Sequence, residues 1–156
     1  MIDPREFRNT LGRFASGITI VSTVQEGEVH GMTANGFMSV SLDPPLVLIS
    51  IDHKTKMHQM LPKTKKYGIS ILKGDQQQVS QHFAGRPQEN APPFFWQDGI
   101  PLIQDAMAYI VCDVVDEHPA GDHTLYIGQV NWISYQEEEP LIFYGGKYRS
   151  LTKLEV

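Results

Sequence analysis

Apolar residues recur along this chain at two spacings, and the strand spacing dominates. Ile18 to Val24 is β-branched almost throughout, and Gln25-Glu26-Gly27-Glu28 supplies hairpin-turn chemistry behind it. Val29 to Ala34 is expected to return antiparallel. Leu46 to Ile51 is a continuous apolar run of strand length, and Tyr67 to Leu72 is another. Ala106 to Val115, Thr124 to Tyr135 and Leu141 to Tyr144 complete the strands.

Helical spacing is confined to short stretches. Asp3 before Pro4 offers an N-cap and a first-turn proline, with Glu6 at the third helical position. Phe7, Leu11 and Phe14 share one face, so a helix is predicted from Asp3 to Ser16, ended by Gly17. Two more are predicted: Thr55 to Leu61, stopping before Pro62, and Asp75 to Ala84, ended near Gly85. The stretch from Gly85 to Pro93 is rich in proline and polar residues and reads as a loop. Strands dominate and no βαβ alternation is present. The fold class is therefore mainly β, an antiparallel barrel with short peripheral helices rather than a doubly wound sheet.

Length and charge narrow the picture further. The 156 residues suit one domain over 1–156, large enough to bury its own core. Thirteen Lys+Arg against 18 Asp+Glu leave a net charge of −5, which disfavours nucleic acid as a partner. No apolar run has the length of a membrane span, and Met1 to Phe7 lacks the apolar centre of a secretory signal. A cytoplasmic protein is the expectation. Cys112 stands alone, so no disulfide within the chain and no cysteine metal cluster is expected. Its neighbours Tyr109-Ile110-Val111 mark it as a buried strand residue, not a nucleophile. A P-loop, a G-x-S-x-G elbow and an H-E-x-x-H helix are all missing, and no metal site is predicted.

Five stretches could carry chemistry. In Gly31 to Leu46, hydroxyl and amide side chains (Thr33, Asn35, Ser39, Ser41) alternate with apolar ones, a pattern that can edge a flat heterocycle. The competing reading is a Ser/Thr-rich loop bonded to its own backbone. At Ser50 to Lys56 a strand gives way to a helix whose free N–H groups, with Lys54 and Lys56, suit a phosphate; simple capping by Asp52 or Thr55 competes. Arg86, behind His82-Phe83-Ala84-Gly85, could clamp a phosphate or cap helix carbonyls. In Gly121-Asp122-His123 the aspartate could fix the tautomer of a ligand-facing histidine, or the three could be a plain turn. The tail Tyr144-Gly145-Gly146-Lys147-Tyr148-Arg149 pairs bases with an aromatic.

In this order, these segments resemble the flavin reductase family with the FMN-binding split-barrel fold. The similarity runs from Phe7-Arg8…Leu11-Gly12-Arg13-Phe14-Ala15-Ser16-Gly17 to Tyr148-Arg149. Its most specific parts are Gly31-Met32-Thr33-Ala34-Asn35, Ser39-Val40-Ser41-Leu42-Asp43-Pro44-Pro45 and Gly121-Asp122-His123. Within the family the chain looks like the small reductase component of two-component phenol or 4-hydroxyphenylacetate monooxygenases. The resemblance implies a homodimer that uses NADH to reduce FAD (alternatively FMN) and passes the free reduced flavin to a separate oxygenase. By position it implies that Met32, Thr33, Ala34, Asn35, Ser39, Val40 and Ser41 line the flavin ring and ribityl chain. Ser50, Ile51, Asp52, His53, Lys54 and Thr55 would approach the flavin phosphates, and Phe83 and Arg86 would flank its outer part. His123 matches the position associated with the nicotinamide nucleotide, and Lys147, Tyr148 and Arg149 would close that site. His53 stands where relatives often carry arginine. The alternative is a flavin-binding module without turnover, a redox sensor or carrier.

Overall fold

The computed structural model describes residues 1–155. In chain order its elements are α1 (Pro4–Leu11), β1 (Ser16–Gly17), β2 (Thr19–Gln25), β3 (Glu28–Ala34), β4 (Phe37–Ser41), β5 (Leu46–Asp52), α2 (Lys56–Thr64), β6 (Lys66–Ile71), α3 (Gln77–His82), β7 (Phe94–Gln97), β8 (Ile100–Ile103), β9 (Ala108–Ala120), β10 (His123–Tyr135), β11 (Ile142–Tyr144) and β12 (Lys147–Arg149).

Seven strands form one antiparallel sheet in the order β3-β2-β6-β9-β10-β5-β4. Its two edges, β3 and β4, are separated in sequence only by Asn35 and Gly36. The sheet has to curl to bring its edges that close. Val21, Met32, Phe37, Ile49, Tyr67, Cys112 and Tyr126, one from each strand, meet in a single cluster. The result is a barrel wrapped around its own apolar face, closed at the Asn35-Gly36 corner. Met57 and Leu61 of α2 join the same cluster.

The outer face of β2, β6 and β9 is covered as well. The β7–β8 hairpin packs Ile100 and Leu102 against Val111, and Ile103 joins Ile18, Ile20 and Leu72. Burial on both faces is why Ile18 to Val24 shows no alternation. Gly68 makes the contact possible, since a Cβ there would lie 2.6 Å from Leu102 Cδ2. At the β2–β3 turn Glu26 and Gly27 both have positive φ (51° and 80°), which a two-residue hairpin turn requires.

Several sequence expectations need correction. The first helix ends at Leu11, and Arg13 and Phe14 close it with tighter bonds to Thr10 and Leu11 before β1 pairs with β11. Its apolar face is not packed inward, for Phe7, Leu11 and Phe14 are exposed. The second helix continues through Pro62 to Thr64. Pro62 has no N–H for the His58 carbonyl, but the Tyr126 hydroxyl lies 3.5 Å from that oxygen. The third helix shortens to Gln77–His82. β9 extends to Ala120 because β10 pairs with it along its whole length. Residues 94–103 form a hairpin that the sequence reading did not assign. The stretch from Gly31 to Leu46 is mostly strand, β3 and β4, not loop. Residues 147–149 form a further strand, paired with β11.

Burial of titratable groups makes stability fall at alkaline pH. Burial pushes the Cys112 thiol from 9.0 up to about 12 and the Tyr126 hydroxyl from 10.0 up to about 12, and it raises Tyr67 as well. Unfolded chain loses these protons at the ordinary values, while folded chain keeps them. Stability is therefore full below the ordinary thiol value and is lost as pH rises toward the folded one. Cys112 alone accounts for about 1.4 kcal/mol per pH unit in that window. Urea midpoints at about pH 8 and about pH 10 should drop for the natural chain and drop less for Cys112→Ala.

Candidate functional site

Thr33 ties the β3 edge to the end of α3. Its N–H donates to the Phe83 carbonyl at 3.2 Å, and its hydroxyl donates to the Ser80 carbonyl at 2.6 Å. Carbonyls at a helix C-terminus lack helical partners, so Thr33 supplies them from outside. Ser80 Oγ in turn pairs with the Tyr148 hydroxyl at 2.9 Å. Phe83 is held over β3, where a Cβ at Gly31 would stand 2.9 Å from its ring. Thr33, Ala34, Asn35, Ser80, Ala84 and Tyr148 line a cavity of about 230 Å³ with Ile18 and Phe143. Thr33→Val keeps the shape and removes the donor. We expect it to cost about 1–2 kcal/mol, read as a lower urea midpoint, because the Ser80 carbonyl loses its partner.

A second corner forms where β5 meets β10. Asp52 lies opposite His123 in the ladder, and the His53 N–H donates to the Asp122 carbonyl at 3.0 Å. The Ser50–Thr55 segment and the Gly121-Asp122-His123 turn are thus neighbours. His53 is exposed, but its ring is not without partners. Its Nε2 pairs with Thr124 Oγ1 at 2.8 Å, and its ring stacks 4.6 Å from that of His58. Thr55 caps α2 by accepting from the His58 N–H, and Asp52 Oδ1 accepts from the Lys54 N–H at 2.8 Å. Lys56 is paired with Glu28 of β3. Lys54 is the cation at this corner with no carboxylate partner among the described residues.

His123 Nδ1 and Asp122 Oδ1 are 2.8 Å apart. The hydrogen bond with His123 holds the Asp122 carboxyl below the usual carboxylate range. This bond fixes the ring and leaves Nε2 for a ligand. His123 and Asn35 line a cavity of about 750 Å³ together with α1, Phe143, Gly145 and Gly146. Asn35 therefore belongs to both cavities, and Gly36 beside it lets the turn approach Ser50, whose N–H donates to the Gly36 carbonyl at 2.8 Å.

The remaining sequence-predicted residues are placed as follows. Met32 and Ala34 pack against the barrel cluster, and Ile51 is fully buried in it, so neither its side chain nor its backbone is open to a ligand in this structure. Ser39 and Ser41 line a separate groove of about 610 Å³ with Pro45, Val130, Trp132 and Ile133, while Val40 sits exposed at a bulge between them. Arg86 is exposed just beyond Gly85. Lys147 is exposed on β12, and the Arg149 guanidinium lies over the Tyr144 ring. Ser80, Arg8 and Arg13 line the cavities without having been singled out. Ser80 carried no signal, being an ordinary helix residue. Arg8 and Arg13 stood within the family-like opening segment but next to no polar motif.

Comparison with known proteins agrees with this geometry. The flavin reductase-like domain family matches residues 11–152. An NADH-dependent flavin reductase of Rhodococcus sp. is 52% identical over 157 residues, spanning 98% of this chain and 89% of the relative. The reductase component of 4-hydroxyphenylacetate 3-monooxygenase from Thermus thermophilus is 37% identical over 151 residues, spanning 94% of this chain and 95% of its own. The solved structure of the flavin reductase PheA2 in its native state superposes with a TM-score of 0.93 at 49% identity, covering 97% of this chain and all of that one. With its closed corner, short helices and antiparallel sheet, this chain belongs to the flavin reductase family, in the split-barrel fold, and is related to the reductase components of two-component aromatic monooxygenases.

Proposed function

We propose that the chain, acting as one domain, is an NADH-dependent flavin reductase that supplies reduced FAD, or FMN, to a separate aromatic-hydroxylating oxygenase. One observation carries the reading: Asn35 lines both cavities, one reaching Tyr148 and the other His123. A flavin edge and a nicotinamide need adjoining pockets, and the barrel corner provides them. When bound, the flavin supplies the hydride acceptor and the dihydronicotinamide the hydride. The chain contributes position. Thr33, Ala34 and Asn35 line the smaller cavity at the β3 end, with Thr33 held in place by its bonds to the end of α3. Lys54 and the backbone of 52–55 face the flavin phosphates. His123, its Nδ1–H held by Asp122, turns Nε2 toward the nicotinamide nucleotide. No nucleophile or general base is needed for this transfer.

The assembly we infer is a homodimer. The apolar face of α1 and the apolar groove behind Ser39 and Ser41 are both uncovered in one protomer, and a second copy would bury them. A protein that sediments as a stable monomer with flavin bound would overturn that part. Among the described residues no helix is long and apolar enough to cross a membrane, and a cytoplasmic location suits the supply of reduced flavin.

The deciding assay is NADH oxidation by the purified protein, with and without added FAD or FMN, after its visible spectrum is recorded. Turnover that requires flavin is expected, with the flavins ranked by rate at equal concentration. A yellow protein that oxidises neither NADH nor NADPH would instead be a flavin-binding module.

A further inference from the structure

The stretch from Gly85 to Pro93 leaves α3 beside one cavity and borders another. Ala84, the residue before it, lines the smaller site cavity with Thr33 and Asn35. Farther along, Gln88, Asn90, Pro92 and Pro93 border a separate cavity of about 380 Å³ whose other wall carries Gln76 and Val79. A strap with a cavity beside it has little packing to hold it. Of its residues only Gln88 and Pro92 are half-buried, and the rest are exposed. Backbone bonds pin its two ends. The Arg86 N–H donates to the Gln81 carbonyl at 3.0 Å, and the Pro93 carbonyl accepts from the Gln104 N–H at 3.0 Å. Between those ends one hydrogen bond ties the strap to the rest of the chain among the described residues, from the Gln88 N–H to His82 Nδ1 at 2.9 Å. The Gln88 side chain bonds within the strap, to the Arg86 carbonyl. Gly85, with φ of +83°, gives the strap a hinge next to α3.

That one bond fixes the state of the ring. A backbone N–H can only donate, so His82 Nδ1 holds a lone pair and the ring is neutral, with its proton on Nε2. A second proton goes to Nδ1, where it meets the Gln88 N–H donor to donor, and the bond is lost. The ring stands edge-on to Phe83, centroids 4.7 Å apart, and Phe83 is itself pressed onto β3 at Gly31. The titratable and charged groups around this end of α3 are Arg86 and Glu89 on the strap and His30 on β3. Lys73 and Asp75 precede the helix, Asp105 precedes β9, and Lys147 and Arg149 lie on β12, which meets α3 through Tyr148. None of them forms an ion pair with His82.

We infer that His82 is a positioning residue whose neutral ring latches the strap at the mouth of the flavin cavity, and that protonation of Nδ1 frees the strap and speeds flavin departure. Histidine is the side chain whose charge ordinarily changes between about pH 5 and pH 8, so the latch is closed at the upper end of that range and opens toward the lower. A reductase that hands reduced flavin to another protein has to let it go. The release step rests on the reductase reading. The latch itself rests on the His82–Gln88 bond.

Two substitutions separate the latch from general damage. In His82→Asn the amide oxygen stands where Nδ1 stood, accepts from the Gln88 N–H and does not titrate, whereas in His82→Leu nothing accepts. The first measurement uses flavin-free protein. Protection of the Gln88 amide against hydrogen exchange is taken relative to the free-chain rate at the same pH. Between about pH 7.5 and about pH 5.5 it should fall about fivefold in the unsubstituted protein, hold within about twofold in His82→Asn, and be low at both values in His82→Leu. The second measurement is FAD dissociation, followed by flavin fluorescence after dilution. It should quicken in acid by about the same factor and show the same pattern across the variants. FAD is the probe because its diphosphate, unlike a phosphate monoester, does not titrate in this range. Protection that is equal at the two pH values in the unsubstituted protein, or that changes as much in His82→Asn, overturns the inference. A latch that opens while FAD dissociation stays constant overturns the release step. If the protein binds no FAD, the reductase reading has failed on its own, and the exchange experiment still decides the latch.

Discussion

Gly128→Ala is expected to lower stability by about 3 kcal/mol, the upper part of the range for overfilled cores. A Cβ at Gly128 would stand 2.5 Å from Cys112 Sγ and 2.6 Å from the Tyr67 hydroxyl. Those neighbours cannot yield cheaply. Cys112 and Tyr67 are fully buried in the barrel cluster, and the Tyr67 hydroxyl donates to the Tyr126 carbonyl at 3.2 Å. Gly128 also follows the point where the β9–β10 register shifts. Crowding here pushes β10 away from β9, and β10 begins with His123. Urea unfolding should show the loss as a lower midpoint with an unchanged slope. NADH turnover at low temperature should fall as well, since the histidine turn hangs on the displaced strand. A midpoint within experimental scatter of the unsubstituted protein would mean that the barrel is looser than this packing implies.

His123→Ala should cut kcat/KM for NADH by about a hundredfold while flavin binding stays within about twofold. The expectation comes from the division of labour between the two cavities. His123 lines the larger one with Asn35, whereas the Thr33–Ser80–Tyr148 network that shapes the smaller one does not touch it. His123→Asn, which keeps a side chain able to hydrogen-bond, should recover part of the loss. Asp122→Asn should show a milder effect, because Asp122 orients the ring and is not itself in the cavity lining. A His123→Ala protein that oxidises NADH at the unsubstituted rate would reduce Gly121-Asp122-His123 to an ordinary turn. Equal loss of flavin and NADH binding would point instead to collapse of the β5–β10 corner, where the His53 N–H bonds to the Asp122 carbonyl.

The behaviour of His53 separates what neighbouring residues say from what distant ones decide. At a strand-to-helix junction beside Lys54 it reads as part of a phosphate grip. In the fold its ring is taken by Thr124, far along the chain but across the β5–β10 ladder, and by His58 on the following helix. Lys56 is diverted in the same way by Glu28 of β3. The anionic partner of a lysine and the acceptor for an imidazole sit wherever the chain returns, which local spacing does not record.

The sequence alone determined the long strands β2, β3, β5, β6, β9 and β10, because a residue pattern of period two, or an apolar run, acts within a few residues. It determined the barrel class through the balance of strands over helices, and the family through ordered motifs. It also placed Cys112 in the core, where the structure finds it. Tertiary structure decided the rest. Helix α2 runs past Pro62, with the Tyr126 hydroxyl of β10 packed beside the orphaned His58 carbonyl at 3.5 Å. The β7–β8 hairpin exists because the outer face of β2 and β6 has to be covered, a need invisible from residues 94–103 themselves. The apolar face of α1 does not turn inward, and none of its residues is buried. Above all, Asn35 owes its place between two cavities to the curl that brings β3 and β4, the first and last strands of the sheet, to a common corner. That closure is a property of the whole sheet, set by packing among seven strands, and no segment of the chain carries it alone.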